Sequence, residues 1–297
     1  MKKSKTELDA VHGQVLFEPG SKIDLDRIDT DTDFGMETEA EAQESLKRTT
    51  EQMVTCQDKL MAHETYGLLV LFQGMDASGK DEAVTHVLSS LDPRGCEFKQ
   101  FREMTSKEEK HDYLWRVAAA LPARGQIGIF NRSYYEHVVA ERVHPEILES
   151  QGLPAESKKD IWNKRFRHIN HFEQYLAENG IHLLKFFLHV SKEEQRKRLL
   201  LRIDRPELQW QFSQRDVEER EYWKQYAKAY SDALTQTNTQ EARWHVIPAD
   251  RGWCARAAVA SVIAAKLDSL HSGYPKLSDE ELKSLKTARQ RLEDDKA

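Results

Sequence analysis

Short apolar runs alternate with longer amphipathic segments over most of the chain. The runs are too short for helices and are typical of strands buried in a sheet. They predict strands over 67–73, 126–130, 182–190 and 244–248. Apolar residues at helical spacing predict helices over 37–64, 80–91, 107–120, 156–178 and 253–270. A further helix is predicted after Ser191, which forms a capping-box pattern with Glu194.

This alternation indicates an α/β fold, in which helices cover both faces of a mainly parallel sheet. Residues 37–272 show no shift in composition that would mark a boundary, so we expect one domain there. Residues 1–36 mix charges with Gly and Pro and are predicted to form a loosely packed N-terminal arm. Residues 273–297 are highly charged and are predicted to form a peripheral helical tail.

The segment after the first predicted strand carries the strongest chemical signal. It reads Gly74-Met-Asp-Ala-Ser-Gly-Lys-Asp81 and matches the phosphate-loop pattern G-x-x-x-x-G-K-[ST] except at its last position. A strand, such a loop and a helix surround phosphate with backbone N–H groups, and Lys80 adds a positive charge. Asp81 and Asp76 put carboxylates beside this nest, which favours a site that recruits Mg²⁺. The predicted phosphate-binding residues of the loop are Gly74, Ala77, Ser78, Gly79, Lys80 and Asp81.

A second segment, Phe130-Asn-Arg-Ser-Tyr-Tyr-Glu136, leaves the end of another predicted strand. Ligands of open α/β sheets bind at the carboxyl ends of strands, so this segment should meet the phosphate loop. Arg132 is suited to grip phosphate with two N–H groups, and Glu136 to orient a nucleotide or a metal-bound water. The alternative is an ordinary strand exit in which Asn131 or Ser133 caps the following turn.

A third segment combines a basic helix with a chain break at Pro206. Arg198 and Arg202 lie four residues apart and therefore share a helix face. Basic residues that lead into a loop suit a lid over phosphates, which we place at about 198–222. The alternative is a solvated basic face paired with Glu193 and Glu194.

Charge and composition limit the classes of function. The formal net charge of -6 argues against nucleic acid or membrane partners bound through a general positive field. No apolar run approaches the roughly 20 residues of a membrane-spanning helix, and no signal peptide is recognisable. Cys56, Cys96 and Cys254 show no disulfide or metal spacing. We therefore expect a cytoplasmic protein with reduced thiols.

Together these segments resemble the polyphosphate kinase type 2 family over about residues 46–270. Two further stretches carry the resemblance, Lys185-Phe-Phe-Leu-His-Val-Ser-Lys-Glu-Glu-Gln-Arg196 and Arg202-Ile-Asp-Arg-Pro206 with Trp210. The resemblance implies a phosphate-loop kinase-like three-layer sandwich with a helical lid. It also implies phosphoryl transfer between inorganic polyphosphate and a nucleoside mono- or diphosphate, with Mg²⁺ or Mn²⁺, in a homo-oligomer (a dimer or a tetramer).

Carried over by position, the resemblance assigns catalytic roles to residues of the first two segments. Asp76 would direct the metal, Lys80 would be the phosphate-loop lysine, and Arg132 would grip the transferring phosphate. Glu136 completes the predicted catalytic set. From the third segment, Arg198 and Arg202 would be lid cations along the polyphosphate path.

Two positions bear on the metal and on the choice of acceptor. Asn131 stands where some members have a second metal-directing Asp, and we expect Asn131 and Glu136 to contact the nucleotide. Glu136 resembles the branch that accepts AMP as well as ADP, although that branch commonly continues with Asp where this chain has His137. Either acceptor and either direction of transfer stay open.

Two other functions fit the same residues. One is an ATP-dependent nucleotide kinase on the same fold, against which Asp81 argues because it replaces the usual hydroxyl. The other is a nucleotide-binding module without catalysis, against which the density of carboxylates and arginines at the strand ends argues.

Overall fold

In the computed structural model, which describes residue 11, residues 13–270 and residues 273–295, five parallel strands form a central sheet. The strand order is β2-β3-β1-β4-β5. The strands are β1 (Gly67–Gly74), β2 (Cys96–Gln100), β3 (Ile127–Asn131), β4 (Ile181–His189) and β5 (Trp244–Pro248). Because the sheet is parallel, the segments that leave β1 and β3 emerge side by side at one edge.

Helices connect the strands. The longer helices are α1 (Glu39–His63), α2 (Lys80–Leu88), α7 (Ile161–Glu178), α8 (Lys192–Asp204), α10 (Trp223–Gln236), α11 (Gly252–Leu270) and α12 (Asp279–Asp294). The short helices are α3 (Trp115–Ala118), α4 (Ala140–Val143), α5 (Pro145–Ser150), α6 (Ala155–Lys158) and α9 (Gln214–Glu218). The 3-10 segments are Leu25–Arg27, Pro93–Gly95, Glu108–Lys110, Tyr134–Val138, Pro206–Gln211 and Glu219–Tyr222.

The core lies on both faces of the sheet. Every residue of β1 is buried, and successive side chains of a strand point to opposite faces, so both faces are covered. Helix α11 packs against α1 and α2, and α7 packs against β4. This confirms the predicted α/β fold with a parallel sheet. None of the described helices has the length and apolar character needed to cross a membrane.

Three helix predictions are wrong in detail. The helix predicted over 107–120 is two short pieces, Glu108–Lys110 and Trp115–Ala118, because the Asp112 side chain accepts a hydrogen bond from the Leu114 N–H and starts a new turn. The helix predicted over 156–178 breaks at Asp160, which has φ +50°. The helix predicted over 80–91 ends at Leu88.

The chain before α1 is better packed than its sequence predicts. Val15, Ile23 and Leu25 are each at most 2% exposed and belong to the main core cluster. The Ile23 N–H donates to the Thr235 hydroxyl at 2.9 Å. Loose packing is therefore wrong for these residues, although the described positions there form only short pieces of structure: helical residues at 11 and 13–15, a single bridge between Leu16 and His245, and the 3-10 turn Leu25–Arg27.

Candidate active site

The loop between β1 and α2 has a backbone that requires glycine at two positions. Gly74 has φ +150°, and a Cβ atom there would lie 2.7 Å from the carbonyl oxygen of Leu188. Gly79 has φ +99° and is the N-cap of α2. Ala77, between them, also has a positive φ, +54°. A tight loop that leads into a helix N-terminus is the geometry that binds phosphate through backbone N–H groups.

Lys80 lies against this loop and is 8% exposed. Its Nζ atom donates to the carbonyl oxygens of Gly74 at 3.0 Å and Met75 at 2.8 Å, and to Ser78 Oγ at 3.3 Å. Burial lowers the pKa of Lys80, and the neighbouring charge of Arg132 lowers that pKa further. Because these hydrogen-bond partners are uncharged, the positive charge stays available to a phosphate over the loop.

Arg132 connects the exit of β3 to the phosphate loop. Its Nη2 atom lies 2.6 Å from Asp76 Oδ1, and its Nη1 atom lies 3.7 Å from Glu136 Oε2. The charge of Glu136, and then that of Asp76, raises the pKa of Arg132 against the opposing effect of burial. The residue has φ +60°, and its N–H donates to the Phe72 carbonyl at 3.0 Å. A left-handed arginine held by its neighbours is typical of a functional position.

Asn131 is buried and faces the phosphate loop. Its Nδ2 atom donates to Asp81 Oδ1 at 2.5 Å, so the amide fixes the carboxylate that replaces the usual hydroxyl of the motif. The structure thus brings together Asp76, Lys80, Asp81, Asn131, Arg132 and Glu136, as the parallel sheet predicts.

A cavity of about 840 Å³ opens beside this cluster. Its lining includes Gly74, Asp76, Arg132 and Glu136 at the strand ends. The opposite parts of the lining come from the loop after β2, from α3 to α5, and from α10. Of the two predicted nucleotide contacts, Glu136 therefore lies in the cavity wall. Asn131 is absent from the lining and instead holds the Asp81 carboxylate.

The predicted lid contributes Arg215, Asp216 and Glu219 to the lining of the same cavity. Arg215 of α9 contacts Glu103, in the loop after β2, at 2.5 Å, and both residues line the cavity. Arg202 Nη1 lies 3.4 Å from Asp216 Oδ2. Burial raises the pKa of Asp216, and the charge of Asp76 adds to this rise. The lid therefore carries a carboxylate to the phosphate-loop end of the cavity.

Arg198 lies directly against the phosphate loop. Its guanidinium donates to the carbonyl oxygens of Ala77 at 3.2 Å and Ala249 at 2.5 Å, and to Glu194 at 3.0 Å. It lines a second cavity of about 440 Å³ beside Ser78 and Gly79 and is absent from the lining of the larger one. Arg198 thus contacts the phosphate loop, and Arg202 contacts helix α9; their role along the polyphosphate path stays a prediction.

The sequence reasoning missed one buried cation of the site, Arg116. It lines the larger cavity and is 7% exposed. Its position inside a predicted amphipathic helix gave no chemical signal. A charged residue on the apolar side of that helix was the one available hint.

Comparisons with known proteins agree with this geometry. Residues 36–273 match the family described as Polyphosphate kinase 2 (PPK2). An ADP-polyphosphate phosphotransferase of Rhodopseudomonas palustris is 44% identical over 275 residues, which cover 92% of this chain and 95% of the relative. An AMP/ADP-polyphosphate phosphotransferase of Meiothermus ruber is 38% identical over 262 residues, which cover 87% of this chain and 93% of the relative.

A solved structure confirms the predicted fold. The crystal structure of Polyphosphate Kinase 2 from Arthrobacter aurescens matches with a TM-score of 0.82 at 34% identity, over 92% of this chain and 95% of that one. The match of family, relatives and structure spans the phosphate loop, the β3 exit and the lid alike. The chain therefore belongs to the polyphosphate kinase 2 family.

Proposed function

We propose that this protein is a phosphotransferase that moves a phosphoryl group between inorganic polyphosphate and ADP or AMP. The observation that carries the proposal is the shared position of the phosphate loop and Arg132 at one end of a cavity of about 840 Å³, a volume that accommodates a nucleotide. The names of the relatives, ADP-polyphosphate and AMP/ADP-polyphosphate phosphotransferase, support the choice of donor and acceptor.

Phosphoryl transfer needs positioning and charge neutralisation more than covalent chemistry. In this site the loop backbone and Lys80 hold the donor phosphates. Arg132 lies between the loop and the cavity, where it stabilises charge that spreads over the transferring group. The acceptor is a nucleotide phosphate, whose oxygens are already ionised at neutral pH, so the residues present need not supply a general base.

The charge of the cavity favours a divalent cation. Among the described lining residues, eight are carboxylates (Asp76, Glu103, Glu109, Glu136, Glu141, Glu146, Asp216 and Glu219), and four are arginines (Arg102, Arg116, Arg132 and Arg215). Two polyanionic substrates in such a lining need added positive charge.

The residues present fit Mg²⁺, or Mn²⁺, in the way usual for phosphate-transfer sites. No group of three or more His, Cys, Asp or Glu in the described residues is arranged to hold a metal by itself. Mg²⁺ commonly uses one or two carboxylates together with substrate phosphates, so Asp76 would hold it with the donor and acceptor. When bound, the metal supplies positive charge to the phosphate oxygens.

The lid gives the site a means to exclude water. The Arg215–Glu103 contact joins α9 to the loop after β2 across the cavity. Arg220 links the end of the lid to Gln195, whose Nε2 atom donates to the Asp76 carbonyl at 2.8 Å. The lid is therefore tied to the phosphate loop itself. Closure of this kind protects the phosphoryl group from hydrolysis.

An acceptor panel tests the proposal. The purified protein is incubated with polyphosphate, Mg²⁺ and one of AMP, ADP, GMP or GDP, and products are separated by ion-exchange chromatography. We expect the acceptor to gain one phosphate with ADP or AMP. Phosphorylation only when ATP replaces polyphosphate would identify a nucleotide kinase instead, and binding without turnover would identify a binding module. Light scattering after gel filtration tests the expected dimer or tetramer.

A further inference from the structure

Arg116 is a buried cation whose pairing within the protein is incomplete. Its Nη1 atom donates to the carbonyl oxygen of Arg102 at 2.9 Å, and the nearest carboxylate contact is Glu108 at 3.8 Å. Its Nε atom is buried and lacks a hydrogen-bond partner in the described part of the chain. The guanidinium also lies over the Phe101 ring, 5.1 Å from its centroid.

Such an arrangement is costly without a further partner. Charged groups are rarely buried unless they are paired and hydrogen-bonded, and an unmade hydrogen bond of a charged donor adds to the cost. Burial also lowers the pKa of Arg116, which reflects the same penalty on the charged form. The charges of Glu108, Glu136 and Glu141 offset part of this penalty, but among the described residues no carboxylate accepts a hydrogen bond from the guanidinium.

The cavity is where the missing partner can bind. Arg116 lines it together with Arg132 and Arg215. Those two arginines have carboxylate partners at 2.6 Å (Asp76) and 2.5 Å (Glu103), whereas Arg116 has none so close. A guanidinium only donates hydrogen bonds, so its ligand must offer acceptor atoms.

We propose that Arg116 is a binding residue for the acceptor nucleotide and donates hydrogen bonds to its oxygen atoms. The inference rests on the proposed function, because the cavity is taken as the nucleotide site. The oxygens belong either to the nucleotide's phosphates or to a carbonyl of its base. The buried, incompletely paired charge favours the phosphates. Polyphosphate, held at the phosphate loop, makes no contact with Arg116.

The test compares Arg116→Met with Arg116→Lys and with Arg142→Met as a matched control. Arg142 is a partly buried arginine that pairs with Asp232 and lies outside the cavity lining. Initial rates are measured while ADP, GDP and polyphosphate are varied one at a time. We expect Arg116→Met to raise the KM for the nucleotide at least tenfold and to leave the KM for polyphosphate within about twofold. Arg142→Met should change neither constant.

The nucleotide arms separate the two sources of oxygen. An equal rise in the KM for ADP and for GDP identifies the phosphates as the source of the oxygens. A rise that differs between the two nucleotides identifies the base. An unchanged nucleotide KM, or an equal rise in the KM for polyphosphate, overturns the inference. If Arg116→Met does not fold, Arg116→Lys gives the same comparison, because an ammonium cannot reproduce the planar donor fork.

Direct calorimetry of ADP binding separates this inference from the proposed function. If the wild type fails to use polyphosphate yet binds ADP more tightly than Arg116→Met does, only the proposed donor is wrong. If both proteins bind ADP equally, Arg116 has no role in nucleotide binding.

Discussion

The contact between Asn131 and Asp81 makes a specific prediction about stability. Asn131 is 3% exposed, and its amide lies 2.5 Å from the Asp81 carboxylate. Replacing Asn131 with Asp introduces the acidic residue that some relatives are expected to carry there. In this chain it would set two carboxylates against each other with no donor between them. We therefore expect Asn131→Asp to destabilise the protein, by an amount that depends on pH.

Two independent estimates give the size of the loss. Two unit charges about 4 Å apart repel by about 4 kcal/mol at an effective dielectric constant of about 20. The cost has an upper limit, because the pair avoids the repulsion when one of its two carboxyls is protonated. Keeping a carboxyl with an ordinary pKa of about 3.9 protonated costs about 1.36 kcal/mol per pH unit, or about 4 kcal/mol at neutral pH. At pH 5 the same limit is about 1.5 kcal/mol. The variant's loss should therefore shrink by about 2.5 kcal/mol between pH 7 and pH 5.

Urea unfolding followed by tryptophan fluorescence measures these losses. The matched control is the exchange of both residues, Asn131→Asp with Asp81→Asn, which restores one amide and one carboxylate. We expect the double variant to regain most of the stability at pH 7. A loss below about 0.5 kcal/mol for Asn131→Asp at pH 7, or an equal loss in the double variant, would refute the reasoning, since the contact would then carry little energy.

Two other predictions concern groups away from the site. Burial, with a contribution from Lys266, lowers the pKa of His182 to about 4, so the unfolded chain takes up a proton first as the pH falls below about 6.5. The wild type therefore loses stability as the pH falls from 7 to 5. In urea titrations His182→Phe should lose about 1 kcal/mol less than the wild type over this range. The figure is this small because the imidazole is only half-buried. Lys185 and Glu173 form a fully buried ion pair at 2.7 Å. Lys185→Met should lower the free energy of unfolding by about 3–5 kcal/mol, because it leaves the Glu173 charge buried without its partner. The double variant with Glu173→Gln should recover much of this loss, and an equal loss in the single and double variants would contradict the reasoning.

The residues that the sequence identifies best are those in its most local patterns. Strands β1 and β4 follow from apolar runs, and the phosphate loop follows from its glycine and lysine spacing. The parallel sheet then places the β3 exit beside that loop, which is why Arg132 and Asp76 meet as predicted. These inferences need only local periodicity and one rule of topology.

Features that depend on tertiary contacts are harder to predict. Strand β2 was missed because it is a polar, mostly exposed edge strand, held by backbone pairing with β3. Helical spacing showed that Arg198 and Arg202 share a face. It could not show that Arg198 would donate to the Ala77 carbonyl of the phosphate loop, or that Arg202 would pair with Asp216. Arg116 was missed for the same reason, since its burial depends on distant residues.

The most direct test of the proposed reaction is ATP formation from ADP with polyphosphate as the sole phosphoryl donor, followed by luciferase luminescence. We expect the wild type to form ATP in a Mg²⁺-dependent reaction. Lys80→Ala, which removes the cation of the phosphate loop, should slow this at least about a hundredfold. Lys80→Ala turnover within a few-fold of the wild-type rate, or a wild type that phosphorylates neither ADP nor AMP from polyphosphate, would contradict the proposed function.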